Sequence, residues 1–229
     1  GGWFVINEKD TFSPASLLKV PYMISLFNLA ETSPEILNKV VQYKKVYSTE
    51  EPSFKPEKVL ELGASYTINE LISRMILYSD NEAMYLILDS FDPKLFNTLY
   101  EDLGLGMLTD YHAFDIAVKS YASFLRILFN ASYLSVSSSE KALDSLSKTT
   151  RKMMRGDIPE SVVIASKFGE RHYSDTGEDQ FHDCGIIYYP KHPYLLCIMT
   201  RGTDYDVLSK IIGALSRQIY QSVGSRYGK

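Results

Sequence analysis

One stretch near the start of the chain decides the fold: Phe12-Ser13-Pro14-Ala15-Ser16-Leu17-Leu18-Lys19. Ser16 opens an apolar segment that predicts a helix as far as Ala30, with Pro21 in the first turns, where a missing N–H costs least. Lys19 follows Ser16 by three residues, so one helical turn places both side chains on the same face. A serine hydroxyl is a poor nucleophile until a base takes its proton, so this spacing indicates a candidate nucleophile and its base.

Two further motifs follow in order: Ser79-Asp80-Asn81 and Lys167-Phe168-Gly169. The serine of the first can relay a proton to or from Lys19. Its asparagine can accept a hydrogen bond from Lys19 and donate one to a substrate carbonyl. Each motif alone is common, and a lone serine–lysine pair is usually part of a solvated helix face. The three motifs together indicate an active site.

Sheet-forming segments enclose a long helical block. Trp3 to Ile6 is prone to form a strand, and nearly everything from residue 33 to residue 128 predicts helix, including a capping box from Thr67 to Glu70. Later strands, the first of which ends at the third motif, are expected at Val162–Ala165, Gly185–Tyr189 and Tyr194–Met199. Further helices are expected at Glu82–Ser90, Pro93–Leu103, Phe114–Phe129, Ser138–Thr149 and Asp204–Ser222.

Composition excludes several classes of protein. The chain has 229 residues, of which 45% are hydrophobic, so it can bury a sizeable core. Its net charge of -4 argues against nucleic-acid binding, which needs a surplus of Lys and Arg. No apolar run approaches the roughly 20 residues that cross a bilayer. The four histidines and two cysteines lack metal-ligand spacing, so no metal or cofactor is expected.

The three motifs in this order resemble those of the penicillin-recognising serine acyltransferases, which include class A β-lactamases and DD-peptidases of low molecular mass. The resemblance covers essentially the whole chain. It implies a single catalytic domain with an α+β fold, in which an antiparallel sheet with flanking helices is joined to an all-helical subdomain. The sheet subdomain is expected at about residues 1–20 and 150–229, and the helical subdomain at about 21–149.

The resemblance also implies a role for each motif residue. Ser16 would be the acylated nucleophile, Lys19 its base or proton relay, and Ser79 a proton shuttle. Asn81 would contact both the substrate and Lys19. Lys167 would attract a substrate carboxylate.

The third motif would contribute to substrate binding. The backbone N–H groups of the nucleophile and of Glu170 would form the oxyanion hole. Gly169 would let the substrate lie against the strand edge. Phe168 stands where the family has Thr or Ser, whose hydroxyl helps to hold the substrate carboxylate, so ordinary β-lactam recognition should be weakened. Ser166 and Thr176 are the hydroxyls that could compensate.

The glutamate that activates the deacylating water in class A β-lactamases has no counterpart here. Glu35-Ile36-Leu37-Asn38 is similar to the ExxLN pattern but precedes Ser79, so a helix start is the better interpretation. Glu101, Asp110 and His112 are the alternatives, although an exposed polar residue is the simpler interpretation of each.

The two cysteines lie in the segments of the last hairpin. Cys184 occupies a position where some members of the family carry Arg. Pairing Tyr189 with Tyr194 would make Cys184 and Cys197 diagonal neighbours. A disulfide between them depends on the register, and buried free thiols are the favoured prediction.

The sequence therefore predicts a monomeric serine hydrolase that forms an acyl-enzyme on Ser16 with a β-lactam or a peptidoglycan stem peptide ending like D-Ala-D-Ala. Deacylation should be slow. A true β-lactamase with an unrecognised base and a non-catalytic cell-wall-binding module are the alternatives. A cell-wall substrate implies an extracytoplasmic protein, with an export signal or anchor upstream of Gly1.

Overall fold

The structure, a computed structural model, describes residues 2–48, 53–106 and 114–228. These residues divide into two compact units. The first unit takes its described residues from 1–17, 109–126 and 151–229, and the second takes its own from 18–108 and 127–150.

Within the described ranges the chain forms seven α-helices, seven strands and three 3-10 helices. The α-helices are α1 (Lys19–Thr32), α2 (Ile68–Leu77), α3 (Asn81–Ser90), α4 (Lys94–Asp102), α5 (Val118–Phe129), α6 (Val136–Ser147) and α7 (Tyr205–Tyr227). The strands are β1 (Thr11–Phe12), β2 (Val40–Gln42), β3 (Ser65–Thr67), β4 (Ile116–Ala117), β5 (Ile164–Tyr173), β6 (Glu178–Ile187) and β7 (Tyr194–Gly202). The 3-10 helices are Ala15–Leu18, Pro34–Asn38 and Met153–Arg155.

The first unit is built on an antiparallel sheet in the order β5-β6-β7. Helix α7 packs on β6 and β7 and buries Leu208 and Ile212. Its N-cap is Asp204, whose carboxylate accepts hydrogen bonds from the first turn of the helix. The antiparallel sheet with a flanking helix confirms the predicted fold class.

Two details of the first unit differ from the sequence predictions. The motif Lys167–Gly169 lies in the middle of β5, because β5 continues as far as Tyr173. Trp3 to Ile6 does not form a strand. Trp3 is 71% exposed and Ile6 is also 71% exposed, so burial does not stabilise an extended conformation there.

The second unit is mostly helical. The capping box is present, since the Thr67 side chain accepts from the Glu70 backbone N–H while the Glu70 carboxylate accepts from Thr67. The prediction of almost continuous helix from 33 to 128 was wrong in part. β2 and β3 pair with each other, and the described residues between them carry no helix.

Cys184 and Cys197 form a disulfide, so the prediction of free thiols was wrong. The reason is the register of the β6–β7 hairpin, in which Ile187 lies opposite Tyr194. This register differs by two residues from the one expected, and it places the cysteines directly opposite each other rather than diagonally.

Candidate active site

Lys19, the first residue of α1, is fully buried in the second unit and binds two residues of the Ser79-Asp80-Asn81 motif. Its Nζ lies 2.7 Å from the backbone oxygen of Ser79, 3.1 Å from the Ser79 Oγ and 2.6 Å from the Asn81 Oδ1. The structure therefore brings together three residues that the sequence predicted to share a site.

The backbone at Ser79 explains how one residue presents two acceptors to Lys19. Tyr78 is the C-cap of α2 and Asp80 is the N-cap of α3, so Ser79 is the single residue between the two caps. Its φ of 58° lies in the left-handed region, which is uncommon for a residue other than glycine. Such conformations persist only where the surrounding structure holds them, and they cluster at functional sites.

The three acceptors suit both protonation states of Lys19. As an ammonium, Nζ has three N–H donors, one for each oxygen. As a neutral amine it retains two donors for the Ser79 carbonyl and the Asn81 amide oxygen, and its lone pair can accept the proton of the Ser79 hydroxyl. The arrangement can thus gain or lose a proton without leaving a buried donor or acceptor unsatisfied.

The carboxylate of Asp80 is also buried, and it accepts from the backbone N–H groups of Glu82 and Ala83. Burial raises the pKa of Asp80, an effect that these N–H groups and the charge of Lys19 oppose. Helix α3 is therefore fixed at its first residue, Asn81, whose amide faces Lys19.

A second carboxylate of α3 holds a neighbouring segment of the second unit. Glu82 accepts from the Tyr43 hydroxyl at 2.6 Å, from the Tyr47 N–H at 2.8 Å and from the Ser48 N–H at 2.9 Å. Glu82 was not predicted from the sequence to be a site residue. Its position directly after Asn81 of the second motif was the only feature of the sequence that pointed to it.

In the first unit, Ser16 lies half-buried in the 3-10 helix Ala15–Leu18, from which the chain continues directly into α1. Gly169 packs against the same turn. A Cβ atom at position 169 would lie 2.8 Å from the Pro14 carbonyl oxygen and 3.2 Å from the Leu17 backbone nitrogen. The close approach of this turn therefore requires glycine, a reason that the sequence alone did not reveal.

Lys167 is fully buried on β5, and its Nζ donates to the backbone oxygen of Phe168 at 2.9 Å. The same Nζ lies 4.1 Å from the centroid of the Phe168 ring, which is only 5% exposed and also contacts Phe181 edge-on. The phenylalanine at the family's Thr or Ser position thus supports the lysine by a cation–π contact.

Asp183 is a buried carboxylate opposite Phe168 on β6, and it was not predicted from the sequence. It accepts from the Met154 backbone N–H at 2.9 Å. Burial raises the pKa of Asp183 to about 6, while this N–H group, the Ser166 hydroxyl and the charge of Lys167 oppose the increase. The same strand also carries Glu178, Asp179, Gln180 and His182, so no signal in the sequence distinguished Asp183.

The structure provides no substitute hydroxyl for Phe168 at the two positions considered. Ser166 is fully buried, and Thr176 lies in the β5–β6 turn, where its Oγ1 accepts from the Glu178 N–H. Glu170, the expected oxyanion-hole residue, is half-buried on β5.

The structure describes some of the candidates for a deacylation base and not others. Glu101 is exposed on α4, and the Glu35 motif forms the 3-10 helix Pro34–Asn38, as expected of a helix start. Asp110 and His112 lie outside the described residues.

Two kinds of feature are absent from the part of the chain that the structure describes. No group of three or more His, Cys, Asp or Glu side chains is arranged to hold a metal ion. Among the same residues, no helix combines the length and apolar character that a bilayer span requires.

A model of the Beta-lactamase enzyme family matches residues 1–223. The chain belongs to that family. Among curated proteins, no sequence matches it significantly.

Solved structures show the fold of this β-lactamase-family chain. A PBP-A mutant in acyl-enzyme complex with penicillin G has a TM-score of 0.80 at 18% identity, and the match covers 96% of this chain and 84% of that one. The TLA-3 extended-spectrum β-lactamase has a TM-score of 0.81 at 17% identity, covering 95% and 87%. A β-lactamase from Sphaerobacter thermophilus has a TM-score of 0.79 at 21% identity, covering 96% and 87%.

Proposed function

We propose that this chain is a serine acyl hydrolase that forms an acyl-enzyme on Ser16 with β-lactams or with cell-wall peptides ending like D-Ala-D-Ala. The observation that carries the proposal is the set of three hydrogen bonds from Lys19 Nζ to Ser79 and Asn81. Lys19 follows Ser16 by one helical turn along a continuous segment, which suits it to receive the serine proton.

The acylation step needs two proton transfers. Ser16 Oγ attacks the carbonyl carbon of the substrate, and its proton passes to Lys19, directly or through water. When the bond between the carbonyl carbon and the amide nitrogen breaks, Ser79 passes a proton from Lys19 to that nitrogen. The substrate remains as an ester on Ser16. Lys167 attracts the substrate carboxylate, and the backbone N–H groups of Ser16 and Glu170 stabilise the oxyanion.

Mass spectrometry of the intact protein after incubation with benzylpenicillin tests this step. Wild type should gain the mass of one penicillin molecule, and Ser16→Ala should gain none. Lys19→Ala should acylate more slowly by about 10²–10⁴-fold, because the proton has lost its acceptor. The matched control is Ser73→Ala, which removes an exposed helical serine and should label like wild type. An adduct that persists in Ser16→Ala would refute the assignment of the nucleophile.

We infer further that deacylation is slow. Glu101 is exposed on α4, and the Glu35 segment forms a 3-10 helix ahead of the Ser79 motif, so neither has the features of a general base. Nitrocefin hydrolysis should begin with a burst of about one equivalent and continue slowly. Rapid multiple turnover that falls in Asp110→Ala or His112→Ala would favour the alternative, a true β-lactamase with a replacement base.

A non-catalytic cell-wall-binding module is the remaining alternative. Burying an ammonium group is costly unless each of its donors has an acceptor. A protein that only binds its ligand has no need of such a buried lysine with three oxygen acceptors, so the presence of Lys19 argues against the binding module. An absence of both burst and adduct at every penicillin concentration would favour this module.

We also propose that the protein acts outside the cytoplasm. The Cys184–Cys197 disulfide supports this location, since structural disulfides persist in oxidising compartments. Thiol alkylation during denaturing lysis of cells, without a reductant, should leave both cysteines unmodified, because denaturation exposes the buried Cys184 to the reagent. Alkylation of both in the absence of a reductant would place the protein in a reducing compartment.

A further inference from the structure

The backbone of Ser13, three residues before the proposed nucleophile, is held at both of its polar atoms by buried side chains of β6. Its N–H donates to Gln180 Oε1 at 3.0 Å. Its carbonyl oxygen lies 3.0 Å from His182 Nε2. Gln180 is 4% exposed and His182 is fully buried. Two strand residues that are two positions apart therefore fix both backbone polar atoms of one residue in the segment that leads to Ser16.

The partners of each side chain fix its orientation. A carbonyl oxygen can only accept, so His182 Nε2 must carry the hydrogen, and its Nδ1 accepts from the Thr200 backbone N–H at 3.3 Å. Burial lowers the pKa of His182 to about 4, which keeps this neutral tautomer at pH 7. Gln180 donates its Nε2 to Glu178 at 2.8 Å, which leaves Oε1 directed at Ser13.

The other end of the turn is held as well. The Leu17 N–H closes the turn by donating to the Pro14 carbonyl at 2.9 Å. The Leu17 carbonyl accepts from the buried Tyr121 hydroxyl at 3.0 Å. Ser16 thus lies between two residues whose backbone N–H and C=O groups are both bound, Ser13 and Leu17.

The backbone conformation just before Ser16 explains why the turn needs to be held at both ends. Ala15, the residue immediately before Ser16, has a φ of 48°, in the left-handed region that disfavours a residue with a Cβ atom. A residue persists in such a conformation only where the surrounding structure holds it. The bonds at Ser13 and Leu17 lie on either side of Ala15 and provide that restraint.

We propose that His182, Gln180 and Tyr121 are positioning residues that hold the Ser13–Leu17 turn so that the Ser16 hydroxyl and N–H face the substrate carbonyl. The inference rests on the proposed function of Ser16. The three residues act through the backbone of the turn and touch no reacting atom. Proximity and orientation account for large rate factors, and a displacement of about 1 Å can cost roughly 10²-fold.

A matched pair of substitutions at position 182 tests the proposal. His182→Gln keeps an N–H where Nε2 was and so keeps the bond to Ser13, whereas His182→Asn keeps an acceptor near Nδ1 for Thr200 but does not reach Ser13. Each variant loses one buried hydrogen bond. Acylation by benzylpenicillin, measured against concentration, should keep its limiting rate within about threefold in His182→Gln and lose about 10–100-fold in His182→Asn. The half-saturating concentration should not change in either.

Hydroxyl removal at the other end of the turn provides a second test with its own control. Tyr121→Phe removes only the donor to the Leu17 carbonyl and should lower the limiting acylation rate by about tenfold. Ser216→Ala removes a comparable buried donor, which binds the Met154 carbonyl at 2.8 Å, and should acylate like wild type. Equal limiting acylation rates in the two variants would overturn the proposal. So would a decrease of this rate in both variants that is proportional to their loss of thermal stability.

Hydrogen exchange of the Leu17 amide separates failure of this proposal from failure of the proposed function. This amide donates within the turn, so its protection reports the turn without any reaction. Protection should fall in His182→Asn and persist in His182→Gln. If wild type forms no adduct but the amide follows this pattern, the proposed function fails while the anchoring holds. Unchanged protection in His182→Asn would overturn the anchoring itself.

Discussion

Two buried neighbours on β6 should make the stability of this protein respond to pH in opposite directions. Burial lowers the pKa of His182 to about 4 from an ordinary value of 6.5, and the nearby charge of Arg201 acts in the same direction. Burial raises the pKa of Asp183 to about 6 from an ordinary value of 3.8. Both side chains are fully buried, so solvent screens neither effect appreciably.

The signs follow from which state binds more protons. Between pH 6.5 and 4 the unfolded chain protonates His182 while the folded protein does not, so acidification destabilises the fold. Between pH 6 and 3.8 the folded protein protonates Asp183 while the unfolded chain does not, so acidification stabilises the fold. At about 1.4 kcal/mol per pH unit, each effect amounts to about 3 kcal/mol, and across their shared range the two should nearly cancel.

Urea unfolding at pH 7, 6, 5 and 4 measures the balance. We expect the free energy of unfolding of His182→Gln to rise by about 3 kcal/mol relative to wild type over this range, and that of Asp183→Asn to fall by about 3 kcal/mol. Other titrating groups contribute equally to all three proteins, so the differences isolate the two side chains. Three parallel curves would refute this account of the buried pair.

Three further predictions concern individual contacts. Replacing Cys184 and Cys197 with Ser should lower the free energy of unfolding by about 3 kcal/mol, from the 13-residue separation of the bridge, and added reductant should then no longer alter the melting temperature. Gly169→Ala should destabilise the protein and slow acylation, because its Cβ would lie 2.8 Å from a carbonyl oxygen, whereas Gly213→Ala, with 3.5 Å to its nearest neighbour, should melt like wild type or higher. Phe168→Thr restores the family's hydroxyl but empties a buried ring site, so urea unfolding should show a loss of roughly 3 kcal/mol.

The parts of the fold and site that depend on local spacing could be predicted from the sequence. The capping box of α2 and the last helix follow from residues within a few positions of each other. The contact between Lys19 and Asn81 was also predicted, although 62 residues separate them, because the three motifs in order resembled a known family.

Strand register was the part that local spacing did not determine. A hairpin with a polar turn can pair in several registers, and the one expected differed by two residues from the one observed. In the expected register the two cysteines would be diagonal neighbours. In the observed register they lie opposite each other and form the Cys184–Cys197 disulfide. The extent of β5 beyond the third motif was missed because Arg171 and His172 are polar, whereas pairing with β6 keeps both in the strand.

The immediate surroundings of the proposed nucleophile were the least accessible to sequence reasoning. Ser13 and His182 are 169 residues apart, and Leu17 and Tyr121 are 104 apart. Neither contact is indicated by a periodic pattern or a motif in the sequence. A buried histidine or tyrosine that binds a backbone carbonyl looks the same in the sequence as one that only packs against its neighbours. The sequence could therefore name the candidate nucleophile, while the residues that hold its backbone required the folded chain. If the anchoring is as proposed, the reactivity of Ser16 depends on β6 and α5 as much as on the three motifs.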